Sequence, residues 1–183
     1  MAGTYIVTVT NSAGCAAVVT TSVTVLTSPT TAISGSLNVC TGATLNLSAN
    51  GGTSYAWNGP NTYSGSGSSI SIPNVNGAMA GVYTVTTTSA NGCTATASVT
   101  VNILAPPTAT ANGTVNVCIG GNISLSATGG TSYLWNGPNG YSGSGANVTI
   151  TNATLAKGGT YTVTVTNSSG CTNTASHTVT VNS

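Results

Sequence analysis

Apolar and polar residues alternate along most of this chain with a period of two, the pattern of half-buried β-strands rather than helices. In YTVTTT (83–88), Tyr83 and Val85 share one face and Thr84, Thr86 and Thr88 the other. In CTATASVTVNI (93–103), Cys93, Ala95, Ala97, Val99, Val101 and Ile103 face one way, and Thr94, Thr96, Ser98 and Thr100 face the opposite way. SANG (89–92), between them, has the composition of a hairpin turn. Further strands are predicted around Leu45/Leu47, Tyr55/Trp57 and Ile70/Ile72, and no stretch reads as helix.

The same pattern returns at a fixed offset of 78 residues. Cys15, Cys93 and Cys171 share this spacing, as do Tyr5, Tyr83 and Tyr161, Cys40 and Cys118, and Trp57 and Trp135. GGTSYAWNGPNTYSGSG (51–67) recurs as GGTSYLWNGPNGYSGSG (129–145). A period of this length marks a tandem array. The register divides the chain into the last third of one repeat, carrying strands F and G (1–27), and two complete repeats (28–105 and 106–183). Met1 aligns with Met79 and Lys157, so it reads as an internal position of a longer array.

Several short strands per repeat, separated by turn signals, predict an all-β fold of small sandwiches stacked end to end. In immunoglobulin lettering, strand A is near 31–39, B 43–49, C 54–58, E 69–73, F 82–88 and G 93–103. The expected core of the first full repeat is Leu45, Leu47, Trp57, Ile70, Ile72, Tyr83, Val85, Val99 and Val101. That of the second is Ile123, Leu125, Trp135, Val148, Ile150, Tyr161, Val163, Val165, Val179 and Val181. A module this small has a thin core, which a covalent staple would support.

Charge narrows the function. There is one Lys or Arg, no Asp or Glu, and one His in 183 residues. Without a carboxylate there is no acid/base pair and no Ser-His-Asp triad, so catalysis is not expected. Calcium and magnesium sites lose their usual ligands, and zinc lacks both a CxxC and a second His. No cofactor or metal is implied. A basic footprint for nucleic acid is missing, and no apolar run approaches a membrane span.

The residues Cys40, Gly42, Leu45, Leu47, Tyr55, Trp57, Gly59, Pro60, Asn61, Ala80, Gly81, Tyr83, Gly92 and Cys93 form an order that recurs 78 residues on, with Gly158 in place of the Ala. It resembles the immunoglobulin-like and PKD-like tandem repeats of giant secreted surface adhesins of the Bacteroidota type, including SprB-type gliding adhesins. The resemblance implies an extracellular, cell-surface stalk or filament whose partners are neighbouring repeats of the same chain. Lateral or end-to-end self-assembly and surface glycans are further candidate partners.

Cysteines in such a repeat point to an oxidising compartment and to disulfides. Two pairings are open. Within repeats the bonds would be Cys40–Cys93 and Cys118–Cys171. The strand map instead places Cys40 before strand B and Cys93 after the F–G turn, at opposite ends of a sandwich. A seven-residue strand spans roughly 20 Å, whereas a disulfide needs Cα atoms within about 7 Å. The preferred pairing is therefore Cys40–Cys171 across a repeat junction, leaving Cys15, Cys93 and Cys118 to partners elsewhere.

Trp57 and Trp135 read as core anchors on strand C, and Tyr5, Tyr83 and Tyr161 as tyrosine corners. The loop after each Trp carries Asn61 and Tyr63, or Asn139 and Tyr141, and is the candidate ligand loop of an alternative function, a glycan-binding module. His177, in the place of Val99 and Thr21, reads as a tolerant rim site. The Thr ladder of Thr162, Thr164 and Thr166 gives a remote third reading, an ice-binding surface, against which stands the twist of sandwich sheets.

Overall fold

The computed structural model describes residues 1–183. They fall into two compact units, one of Met1–Leu37, Asn46–Ser71 and Gly81–Thr100, and one of Asn38–Leu45, Ile72–Ala80 and Val101–Ser183. The second unit holds all of residues 106–183 together with the Cys40 end of the preceding repeat.

The first strands, β1 (Gly3–Thr10) and β2 (Ala16–Val23), pair only with each other, in an antiparallel hairpin. Residues 28–105 then supply β3 (Ala32–Gly35), β4 (Asn38–Cys40), β5 (Leu45–Asn50), β6 (Ser54–Gly59), β7 (Tyr63–Ser66), β8 (Ser69–Ile72), β9 (Gly81–Thr88) and β10 (Thr94–Leu104). They form two sheets, β3-β5-β8 and β4-β10-β9-β6-β7. Residues 106–183 supply β11 (Thr110–Gly113), β12 (Asn116–Cys118), β13 (Ile123–Thr128), β14 (Ser132–Asn136), β15 (Ser142–Ser144), β16 (Asn147–Ile150), β17 (Gly159–Thr166) and β18 (Thr172–Asn182). Their sheets, β11-β13-β16 and β12-β18-β17-β14-β15, repeat the same order. In lettered form this is A-B-E against A′-G-F-C-C′, the strand order of an immunoglobulin-like sandwich without strand D.

Strand A departs from the sequence reading. It is two strands, joined through Gly35 to Leu37 in one repeat and Gly113 to Val115 in the other. β3 and β11 run antiparallel to strand B, whereas β4 and β12 run parallel to strand G in the opposite sheet. Gly35 and Gly113 stand at φ 145° and 155°, which side-chain-bearing residues rarely adopt. A Cβ on Gly113 would also run into Ser124 O. Glycine is therefore what lets the chain change sheets here.

The alternation that predicts the strands also builds the core. Trp135, Tyr161, Val163, Val165, Ile123, Leu125, Ile150, Val179 and Val181 pack with Ala127 and Ala153 in one buried cluster. Val148, expected in the core, is only half-buried, as is Val99 in the first full repeat. The indole of each Trp is buried with its N–H satisfied: Trp57 Nε1 donates to Gly67 O at 3.0 Å, and Trp135 Nε1 to Gly145 O at 3.1 Å. Outward hydroxyls pair across strands, as in Thr162–Ser176 and Thr84–Ser98, both at 2.9 Å. Such pairs add modestly to sheet stability.

Short 3₁₀ turns, absent from the sequence reading, occupy the E–F connections at Gly77–Met79 and Leu155–Lys157, and a third occupies Pro138–Gly140. Tyr161 Oη donates to Lys157 O at 2.8 Å, four residues back, and Tyr5 Oη to Met1 O at 3.3 Å. Lys157, the one charged side chain, donates from Nζ to the carbonyls of Thr151 and Asn152 at 2.9 and 3.1 Å.

Candidate functional site

Strand register decides which cysteines can meet. In the second repeat Cys118 is the partner of Asn182, at the far end of β18, while Cys171 immediately precedes that strand's first residue. Eleven residues of strand lie between them, or about 35 Å at the usual rise, so no bond can join them. Cys40 is likewise the partner of Leu104, the last residue of β10. The bond that forms is Cys40–Cys171, with Cα atoms 5.6 Å apart and 131 residues between them in sequence. Both within-repeat pairs are absent. Cys15 and Cys118 are exposed free thiols and Cys93 is a half-buried one.

The surroundings of the bond lie in the second unit and are held mainly by side-chain amides. Asn167 opens the turn NSSGC (167–171), and its Oδ1 accepts hydrogen bonds from the backbone N–H of Ser169 and of Cys171, each at 3.0 Å. Its Nδ2 donates to Ala105 O at 3.2 Å, in the segment entering the second repeat. Asn173 Nδ2 donates to Pro107 O at 3.0 Å, and Pro107 is itself buried. On the Cys40 side, Asn102 Nδ2 donates to Asn38 Oδ1 at 2.9 Å and Thr41 Oγ1 to Leu104 O at 3.2 Å. The segment Leu104–Pro107 is thus held by three side chains, Thr41 at Leu104, Asn167 at Ala105 and Asn173 at Pro107, beside the disulfide. The asparagine contacts were not legible beforehand. The equivalent positions in the first full repeat are Ser89 and Ala95, so the 78-residue repeat gives them no emphasis.

The candidate ligand loops are partly absorbed into the sandwich. The ring of Tyr63 lies 6.0 Å from that of Tyr83, and Tyr141 stands edge-on to Tyr161 at 5.6 Å. Both Tyr63 and Tyr141 are half-buried, whereas Asn61 and Asn139 are exposed, each at φ 54°. Burial raises the phenol pKa of Tyr83 and Tyr161, with a smaller contribution from the neighbouring Tyr63 and Tyr141. His177 Nε2 lies 3.1 Å from Thr114 O and so carries the proton that it donates. No three His, Cys, Asp or Glu side chains come together as a metal-binding group, and no helix is long and apolar enough to cross a membrane.

The hairpin of residues 3–23 is a separate case. Tyr5, Val7 and Val9 share one face with their cross-strand partners Thr21, Val19 and Ala17. These three are 49, 59 and 61% exposed, whereas Tyr83, Val85, Tyr161, Val163 and Val165, which hold matching positions one and two repeats on, are all at 0%.

No family model and no curated protein matches the sequence. Among solved structures, the chain is similar to the amphioxus IgVJ-C2 molecule, at 21% identity over 78% of this chain and 99% of that one, with a TM-score of 0.38. It is similar to murine CEACAM1b at 15% identity over 84% of this chain and 100% of that one, TM-score 0.39. A third similarity, at 18% identity over 98% of this chain and 74% of that one, TM-score 0.42, is to part of a 1.5-MDa bacterial ice-binding adhesin studied for its host cell surface retention.

Proposed function

We propose that this chain is a structural segment of a long extracellular stalk or surface filament, without catalytic activity. Its modules would span 28–105 and 106–183, with 1–27 supplying strands F and G of a further one. The observation that carries this reading is the Cys40–Cys171 bond, whose two ends belong to different 78-residue repeats. A disulfide inside one sandwich would stabilise that sandwich. One between repeats limits how they swing, which is what a spacer under load requires. Asn167 and Asn173, tied to the carbonyls of Ala105 and Pro107, support it. So do Pro106 and Pro107, which restrict the backbone between the repeats. Disulfides of this kind persist outside the reducing cytosol, in keeping with a cell-surface location.

Small-angle X-ray scattering on the oxidised chain and on Cys171→Ser tests the reading. A narrow distance distribution is expected for the oxidised chain, and a broader one for the variant. Identical distributions would overturn the role of the bond. A glycan array on the same protein addresses the sugar-binding alternative: saturable binding abolished by Tyr141→Ala would displace the structural reading.

A further inference from the structure

A disulfide between two strand ends decides which residues can lengthen under tension. Cys40 is the last residue of β4, and Cys171 directly precedes β18. Their Cα atoms stand 5.6 Å apart, and the bond closes a loop over a sequence separation of 131. Inside that loop lie β5 to β17 and the linker Leu104–Pro107. Of the buried apolar side chains, only Val39, Val179 and Val181 lie outside it.

The chain that leaves the loop is already straight. β18 runs eleven residues, from Thr172 to Asn182. A strand rises about 3.3 Å per residue, close to the most a backbone can span, so pulling on it gains little length. The turn before β18 fixes its start. Asn167 N donates to Cys171 O and Gly170 N to Asn167 O, each at 3.0 Å. Asn167 Oδ1 accepts from Cys171 N, also at 3.0 Å. β17 and β12 hold the strand on either side. On the other side of the bond, β4 carries the chain into Cys40, with the buried Val39 paired to Ile103. The pairing within repeats would have a different consequence. Bonds Cys40–Cys93 and Cys118–Cys171 would leave residues 94–117, with the linker, as the one connection between two closed loops. The bond that forms encloses that segment as well.

We propose that Cys40–Cys171 is a load bypass. Tension that enters through β4 crosses the two sulfurs and leaves along β18, and residues 41–170 form a side loop that cannot lengthen. Forced unfolding is governed by the unfolding rate, and force raises that rate only through the extension gained on the way. Unfolding either sandwich inside the loop gains none. Cys171 is 1% exposed and Cys40 half-buried, so a thiol in solution has poor access to the sulfurs and the bypass persists. The load path rests on the bond alone; its use in a filament rests on the stalk reading above.

Single-molecule force spectroscopy on the full oxidised chain, held by peptide tags at its two ends, tests the proposal. Lengthening should come only from residues 1–40 and 172–183, under about 200 Å in total. Cys171→Ser should add about 450 Å, the length of the opened loop. A small-molecule dithiol added to the oxidised chain under tension should release that same length in one step, which covers a variant that folds poorly. Release of about 450 Å without dithiol, or a dithiol release split into two steps of about 180 Å, would overturn the bypass. X-ray scattering on the same samples separates the two readings. A short oxidised extension with scattering unchanged in Cys171→Ser keeps the bypass and overturns the stalk reading. Scattering that broadens in the variant, with the long release from the oxidised chain, overturns the bypass alone.

Discussion

Small side chains at single positions separate the two full repeats. Thr87 and Val165 occupy the same place on strand F, both at 0% exposure. Val165 fills its site with methyl groups, whereas the Thr87 hydroxyl is buried with no hydrogen-bond partner. An unpaired buried hydroxyl is destabilising by about 1–3 kcal/mol, while valine has nearly the same shape. Thr87→Val should therefore raise stability by roughly 1 kcal/mol, read from the urea midpoint at constant slope. A fall in the midpoint would mean that the hydroxyl is satisfied in solution. Ser89, where the second repeat has Asn167, is half-buried, but its hydroxyl oxygen is likewise buried and unpaired. It marks where the first full repeat lacks the amide that ties its counterpart to Ala105.

At the scale of the strand, the distinctive element is the A strand that changes sheets. Gly113 makes the change possible, and a methyl group there meets Ser124 O and crowds the Leu125 backbone. Gly113→Ala should destabilise the second sandwich by about 1–3 kcal/mol, from backbone strain and overpacking, measured by thermal or urea unfolding. An unchanged midpoint would show that β11 and β12 need no such hinge. Alternation made strands B, C, E, F and G legible, because each buries one face and so repeats every second residue. Strand A reads as one strand over 31–39 because β3 and β4 are only four and three residues long, too short for a change of facing to register in a periodic pattern. The ends of the strands carried further than their faces. Spacing alone leaves Cys40–Cys93 and Cys40–Cys171 equal, and the order of strands along the chain favours the second. The amides of Asn167 and Asn173 have no such signal, for the opposite reason. Their partners are backbone carbonyls, which carry no sequence signature.

For the whole molecule, the near-absence of charge sets how stability responds to solution conditions. Acid unfolding usually proceeds through carboxylates that are ionised and partnered in the native state, and this chain has no Asp or Glu. Screening by salt likewise has almost nothing to act on. The exception lies at alkaline pH. Tyr83 and Tyr161 are the groups with raised pKa values, because burial disfavours the phenolate and Tyr63 and Tyr141 stand close by. The folded state keeps those two protons at a pH where the unfolded chain, with phenols at their ordinary value near 10.0, gives them up. Their contribution is fully present below that value and is lost as pH rises past it. Thermal unfolding should therefore shift little between about 0.05 and 1 M salt and little on acidification through the carboxylate range, then fall steeply above about pH 10. Tyr161→Phe should flatten part of that alkaline fall, because phenylalanine keeps the ring and has no proton to lose. A strong salt dependence would mean that the few charges govern the fold. An alkaline limb unchanged in Tyr161→Phe would place its cause in other groups.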